Sequence, residues 1–149
     1  MNRLELIEKY NLVCKELELH PDQLVVSAGG ACVMHGLREE TSDLDVHIPR
    51  GTLYTSIRTR ARLEGKVIRY MARPGQPTEA IQYNEWLSIA CIDYSITTTV
   101  IDGVVVYDAR SLLIQKLKLN RPKDQADILA LMRSFTEPTD RSTPCPVQN

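Results

Sequence analysis

Aromatic side chains are scarce in this chain: one Trp, one Phe and six Tyr among 149 residues. That leaves little material for stacking bases, so a surface that reads nucleic acid through stacked rings is not expected. Net charge is nearly absent too, −1 from 18 basic and 19 acidic residues. The totals therefore describe no obligate polyanion binder, although a local basic patch is compatible with them. The four cysteines, Cys14, Cys32, Cys91 and Cys145, are widely scattered with no CxxC pair. A zinc knuckle is excluded, and three of the four sit in apolar segments as reduced core thiols. No apolar run is long enough to cross a bilayer and no signal peptide opens the chain. A cytoplasmic protein without membrane contact is the expectation.

What is present suffices for one core. A chain of this length suits a single domain, here residues 1–136. The last stretch, 137–149, is polar with three prolines and reads as a disordered or loosely held tail. Residues 2–18 read as an amphipathic helix with Leu4, Ile7, Tyr10, Cys14 and Leu17 inward. Further helices are expected at 31–35, 51–64, 111–119 and 124–133, the last packing Ile128, Leu129, Leu131 and Met132. Strands are expected at 24–26, 43–48, 67–71, 80–83 and 87–94, with a hairpin of 97–101 and 104–107 turning at Asp102-Gly103.

The stretch VVSAGGACVMHGLREETSDLDVHI, residues 25–48, concentrates the chemistry. A short buried strand runs into Ser27-Ala28-Gly29-Gly30, where two glycines let the backbone turn sharply and approach a ligand. A short helix follows and stops at Gly36. In the next strand, alternation places Asp43 and Asp45 on one face and Leu44 and Val46 on the other. Two carboxylates so placed repel each other unless a cation lies between them. Hard oxygen donors suit Mg²⁺ or Mn²⁺, and Mg²⁺ typically combines such carboxylates with substrate phosphates. The Gly29-Gly30 turn into a helix offers N–H groups that suit phosphate. His47 shares the acid face and reads first as a polar residue at a strand end, with metal ligation as the alternative; His35 closes the short helix. Arg38, Thr41 and Ser42 lie in the intervening loop, where each is a phosphate contact or an ordinary loop residue.

GG-A-x-x-x-x-G followed by SDLDVHI resembles the nucleotidyltransferase signature of the DNA polymerase β superfamily, in its small minimal branch. Gly29, Gly30 and Gly36 match its glycines, and Asp43 and Asp45 its paired acids. The segment LL-x-QKLxLNRPKDxxDIxxL is similar to the C-terminal part of bacterial minimal nucleotidyltransferases, abortive-infection toxin types included, through Lys116, Arg121, Lys123, Asp124 and Asp127. The resemblance implies an α/β, nucleotidyltransferase-like mixed β-sheet flanked by helices, and two-metal transfer of a nucleotidyl group from an NTP with release of pyrophosphate. It implies two Mg²⁺ ions on Asp43 and Asp45, with Ser27, Gly29, Gly30, Ser42 and Lys116 around the nucleotide. Lys116 would enter the cleft and meet phosphates; the alternative is an ion-pair network joining two helices.

Two-metal transfer commonly draws a third carboxylate from a neighbouring strand. Asp93, ending the apolar strand LSIACIDY, is the candidate; Glu85, Asp102 and Asp108 are the others. Arg58, Arg60, Arg62, Lys66 and Arg69 form the most basic stretch, either a solvated helix face or a contact surface for an anionic acceptor. The acceptor itself is open among RNA such as tRNA, protein and small molecules, and a second copy or a partner protein could complete the cleft. The fold expectation is a mixed sheet of about five strands with helices mainly on one face. Two other readings use the same residues: a non-catalytic NTP- or partner-binding domain, and a metal-dependent phosphohydrolase.

Overall fold

Strand β2 (Leu44–Pro49) sits in the middle of the sheet because it can be covered on both sides. Leu44, Val46 and Ile48 are wholly buried, whereas Asp45 and His47 face the other way. The computed structural model describes residues 1–49, 51–70, 79–92 and 95–136. Among them, β2 runs antiparallel to β1 (Val25–Ser27) and parallel to β5 (Leu87–Ile92). β4 (Glu79–Gln82) and β3 (Val67–Tyr70) extend the sheet beyond β5, both by antiparallel pairing. On the other side β7 (Val104–Tyr107) joins β1 in parallel and carries β6 (Thr98–Ile101) as a hairpin. Asp102 and Gly103 turn that hairpin with φ of 50° and 79°, the left-handed pair a two-residue turn requires.

The result is one mixed seven-stranded sheet, ordered β3-β4-β5-β2-β1-β7-β6, with five helices among the described residues: α1 (Arg3–Glu16), α2 (Ala28–Met34), α3 (Thr52–Leu63), α4 (Ala109–Leu119) and α5 (Gln125–Thr136). The sheet exceeds the expected five strands because four short ones, each of four residues, all join it. Such short segments carry no local sign of which neighbour they pair with. The tail 137–149 lies outside the described residues.

In two helices part of the expected inward stripe faces outward, while Tyr10, Cys14, Leu17, Ile128 and Leu131 are buried as expected. In α1 the buried stripe is Leu6, Tyr10, Val13 and Cys14, while Leu4 is 72% exposed. Apolar residues at 4, 6, 7, 12 and 13 support two stripes. The tertiary fit selects one: Leu6 Cδ1 packs 3.3 Å from where a Cβ on Gly30 would stand. In α5, Ile128 and Leu131 are buried but Leu129 and Met132 are about half exposed, because Asp127 takes an inward place.

The glycine pair also differs from expectation. α2 begins directly after β1, so Gly29 and Gly30 lie in its first turn. The sharp change of direction is made at Ala28, with φ of 54°. The Ala28 N–H donates to Gln115 Oε1 of α4 at 3.2 Å. What both glycines supply is closeness. A Cβ on Gly30 would meet Val26 Cγ1 at 2.9 Å, and one on Gly29 would meet Thr41 Oγ1 at 2.6 Å and Arg38 Nη1 at 2.9 Å. Gly36, with φ of 76°, ends α2 as expected: its N–H donates to Val33 O and that of Leu37 to Cys32 O, a left-handed helix stop.

Candidate active site

The acid pair stands at the entry to β2. Asp43 is exposed in the bend before the strand, and Asp45 is half-buried inside it. Burial, and then the charge of Asp43, push the Asp45 carboxyl up to about 6; Arg69, Lys123 and Arg121 act in the opposite sense. Desolvation and a like charge both penalise the ionised form, and nearby cations relieve it. The charge of Asp43 therefore adds to burial in opposing the ionisation of Asp45.

The sheet register adds neighbours to Asp45. It stands opposite Ser27 of β1 and beside Ser88 of β5, and Ser88 in turn stands opposite Gln82 of β4. Ser88 Oγ donates to Gln82 Oε1 at 3.1 Å, and Arg69 Nη2 donates to Ser88 Oγ at 3.3 Å. A polar row of Asp45, Ser88, Gln82 and Arg69 thus crosses the face opposite Leu44 and Val46. Asp93 lies outside the described residues. The described part of β5 sets Ser88 next to Asp45 and Ile92 next to Pro49, at the far end of β2. Of the other candidate third acids, Asp102 pairs with Arg3 at 2.6 Å, Asp108 caps α4, and Glu85 is exposed between β4 and β5.

Deeper on the same face lie Ser27, His47 and Tyr107, all buried. His47 Nδ1 is 2.6 Å from the Tyr107 hydroxyl, and its Nε2 is 3.5 Å from Ser27 Oγ. Burial lowers the imidazole to about 4, so it is neutral at neutral pH. Ser27 Oγ also donates to the Asp45 carbonyl at 3.4 Å. Both residues tie β1, β2 and β7 together beneath the acids. Among the described residues, no cluster of three or more His, Cys, Asp or Glu is placed to hold a metal ion.

Across from the acids, Gly29 is crowded by the Arg38 guanidinium and the Thr41 hydroxyl. Arg38 Nη2 pairs with Asp127 of α5. Asp127 also takes the Lys116 ammonium at 3.1 Å, and Lys116 reaches Asp124 at 3.2 Å. Arg121 closes the series on Asp124 with Nε at 2.7 Å and Nη2 at 3.0 Å. Burial alone would raise the Asp124 carboxyl, but hydrogen bonds from Arg121 and Lys116 draw it down to about 2. Cys32 lies against this network as a neutral thiol, raised to about 11 chiefly by burial.

The structure therefore gathers Ser27, Gly29, Gly30, Asp43 and Asp45 at the junction of β1, α2 and β2. Ser42 is exposed in the bend beside them. Lys116 has a 4% exposed side chain between two carboxylates, so its ammonium is a member of the interhelical network. The basic stretch divides: Arg58 pairs with Glu79, Arg60 with Glu64, Lys66 lies over the Tyr83 ring, and Arg69 joins the polar row. Ser88 and Gln82 were not singled out from sequence. The alternation in LSIACI sets Ser88 apart from Leu87 and Ile89, but only the register shows that it faces Asp45. No protein-family model matches this chain, and no curated protein matches it either.

Proposed function

We propose that this protein is a metal-dependent nucleotidyltransferase, moving a nucleoside monophosphate from an NTP to an acceptor hydroxyl with release of pyrophosphate. The observation that supports it most is the Asp43–Asp45 pair: Asp43 stands in the bend before β2 and Asp45 inside the strand, and the charge of Asp43 helps raise the Asp45 carboxyl. These carboxylates fit Mg²⁺ or Mn²⁺, because a divalent cation between them removes the repulsion that raises Asp45. Bound there, such ions would stabilise charge on the phosphoryl oxygens during transfer.

The remaining work falls to the chain. Asp43 and Asp45 hold the metal side of the triphosphate. Gly29, having no Cβ, lets the loop carrying Arg38 and Thr41 close against α2. Ser27 and His47 keep β2 seated on β1, which fixes where Asp45 points. Arg69, held by the Ser88 hydroxyl next to Asp45, offers hydrogen-bond donors for an incoming acceptor. Incubating the protein with each α-labelled NTP and a cell lysate tests the proposal: label enters RNA, protein or a small molecule, and the folded Asp43→Asn variant loses it. Equal labelling by that variant overturns it.

A second reading, an NTP-binding domain without transfer, draws on one observation: the β5 position beside Asp45 carries a hydroxyl, Ser88, and not a carboxylate. Mg²⁺-dependent NTP binding by calorimetry with no pyrophosphate released selects this reading. Free nucleoside monophosphate with no labelled acceptor indicates hydrolysis instead.

A further inference from the structure

The network joining the loop before β2 to α4 and α5 contains three cations, Arg38, Lys116 and Arg121, against two carboxylates, Asp124 and Asp127. Its middle is sealed: the side chains of Lys116, Asp124 and Asp127 are 4%, 1% and 6% exposed. Its ends are open, with Arg38 34% and Arg121 26% exposed. A buried ionic cluster is stable when its charges are matched. Within this set the cations outnumber the carboxylates by one, and its exposed members are the two arginines at the ends. The Arg38 end reaches the candidate site, where its Nη1 and Thr41 Oγ1 converge on Gly29. Arg121 is tied to that end through Asp124, Lys116 and Asp127.

Each guanidinium is held by a buried aspartate that occupies part of its donor set. On Arg38 the Nη2 is engaged by Asp127, while Nη1 is turned toward Gly29. A planar guanidinium fixed along one edge presents its other nitrogens at a set angle, which suits a phosphate group.

We propose that Arg38 and Arg121 are the polyphosphate-binding side chains of this protein, two ends of one clamp whose buried centre, Asp127–Lys116–Asp124, positions them. The proposal rests on the nucleotide-binding reading above and extends it: the phosphates meet the arginines, and Lys116 is the link that sets their separation. It requires no transfer chemistry, so it stands or falls separately from the enzyme reading.

The experiment is titration calorimetry of the full chain with inorganic tripolyphosphate, with and without Mg²⁺, on the parent and on Arg38→Gln, Arg121→Gln and Arg62→Gln. The glutamine amide at position 38 keeps a donor for Asp127 while removing the charge, and circular dichroism confirms that each variant is folded. The parent binds, Arg38→Gln and Arg121→Gln each weaken binding roughly tenfold or more, and Arg62→Gln on α3 changes nothing. Absence of tripolyphosphate binding by the folded parent in both conditions overturns the clamp, as does parental affinity in Arg38→Gln. Tripolyphosphate binding without nucleotide transfer leaves the clamp standing and removes the enzyme reading. Transfer with undiminished tripolyphosphate binding in Arg38→Gln does the reverse.

Discussion

Asp45 is the residue at which stability and chemistry pull apart. Its carboxyl rises from an ordinary value of 3.8 to about 6, first through burial and then through Asp43. A carboxyl raised on folding favours the folded state only while protonated, so its ionisation removes stability as pH climbs from about 4 to about 6. Asp45→Asn is therefore expected to be more stable than the parent at pH 7.5, by roughly 1–2 kcal/mol, and equal to it below pH 4. Urea unfolding at a series of pH values reads this directly; a gap that persists unchanged at pH 3.5 rules the explanation out. Asp43 and Asp45 were legible in the sequence as two acids two residues apart, but the strand period governs only Asp45, because Asp43 lies in the bend before β2. Ser88 was not, because its relation to Asp45 is a matter of register between strands 43 residues apart in number.

At the scale of elements, capping and turn chemistry transferred well from sequence to structure. The cap of α4 is Asp108: the Ser111 N–H donates to its Oδ1 at 2.9 Å. Ser111 instead accepts the Thr97 N–H at 2.8 Å, and the Thr97 hydroxyl donates to Asp108 Oδ2 at 2.5 Å. Asp108 thus binds the start of α4 to the segment leading into β6. Asp108→Ala is expected to lower stability by about 1–2 kcal/mol, and Ser111→Ala by less, as measured by thermal unfolding. Equal losses contradict the assignment. The facing of α1 and α5 was met only in part: Tyr10, Cys14, Leu17, Ile128 and Leu131 are buried as expected, whereas Leu4, Leu129 and Met132 are exposed. Leu4 and Leu129 fit their helical stripes as well as Leu6 and Leu131 do, and the choice depends on what stands opposite: Gly30 in one case, the Asp127 ion pairs in the other.

Across the whole molecule, the network from Arg38 to Arg121 is the connection that joins the C-terminal helices to the candidate site. It spans the loop before β2, α4, the turn at Pro122–Asp124 and α5. Removing its buried centre leaves two aspartates without their shared cation. Lys116→Met is expected to cost about 3–5 kcal/mol, and adding Asp127→Asn to it is expected to cost less than the two single losses combined. Chemical denaturation of the single and double variants checks this; strict additivity contradicts a connected network.

Residue order alone determined the helices and strands to within a few positions, the hairpin at Asp102-Gly103 and the stop of α2 at Gly36. Each of these depends on neighbours a few residues apart, through backbone period, turn geometry and capping. Tertiary structure alone decided that seven strands form one sheet, that Ser88 stands beside Asp45, that Gly29 and Gly30 provide contact and not a turn, and that Lys116 lies between two carboxylates. Those outcomes turn on which distant surfaces meet, and burial then sets how each charge behaves: the same ammonium is a solvated cation on an open helix and an internal link once Asp124 and Asp127 close around it.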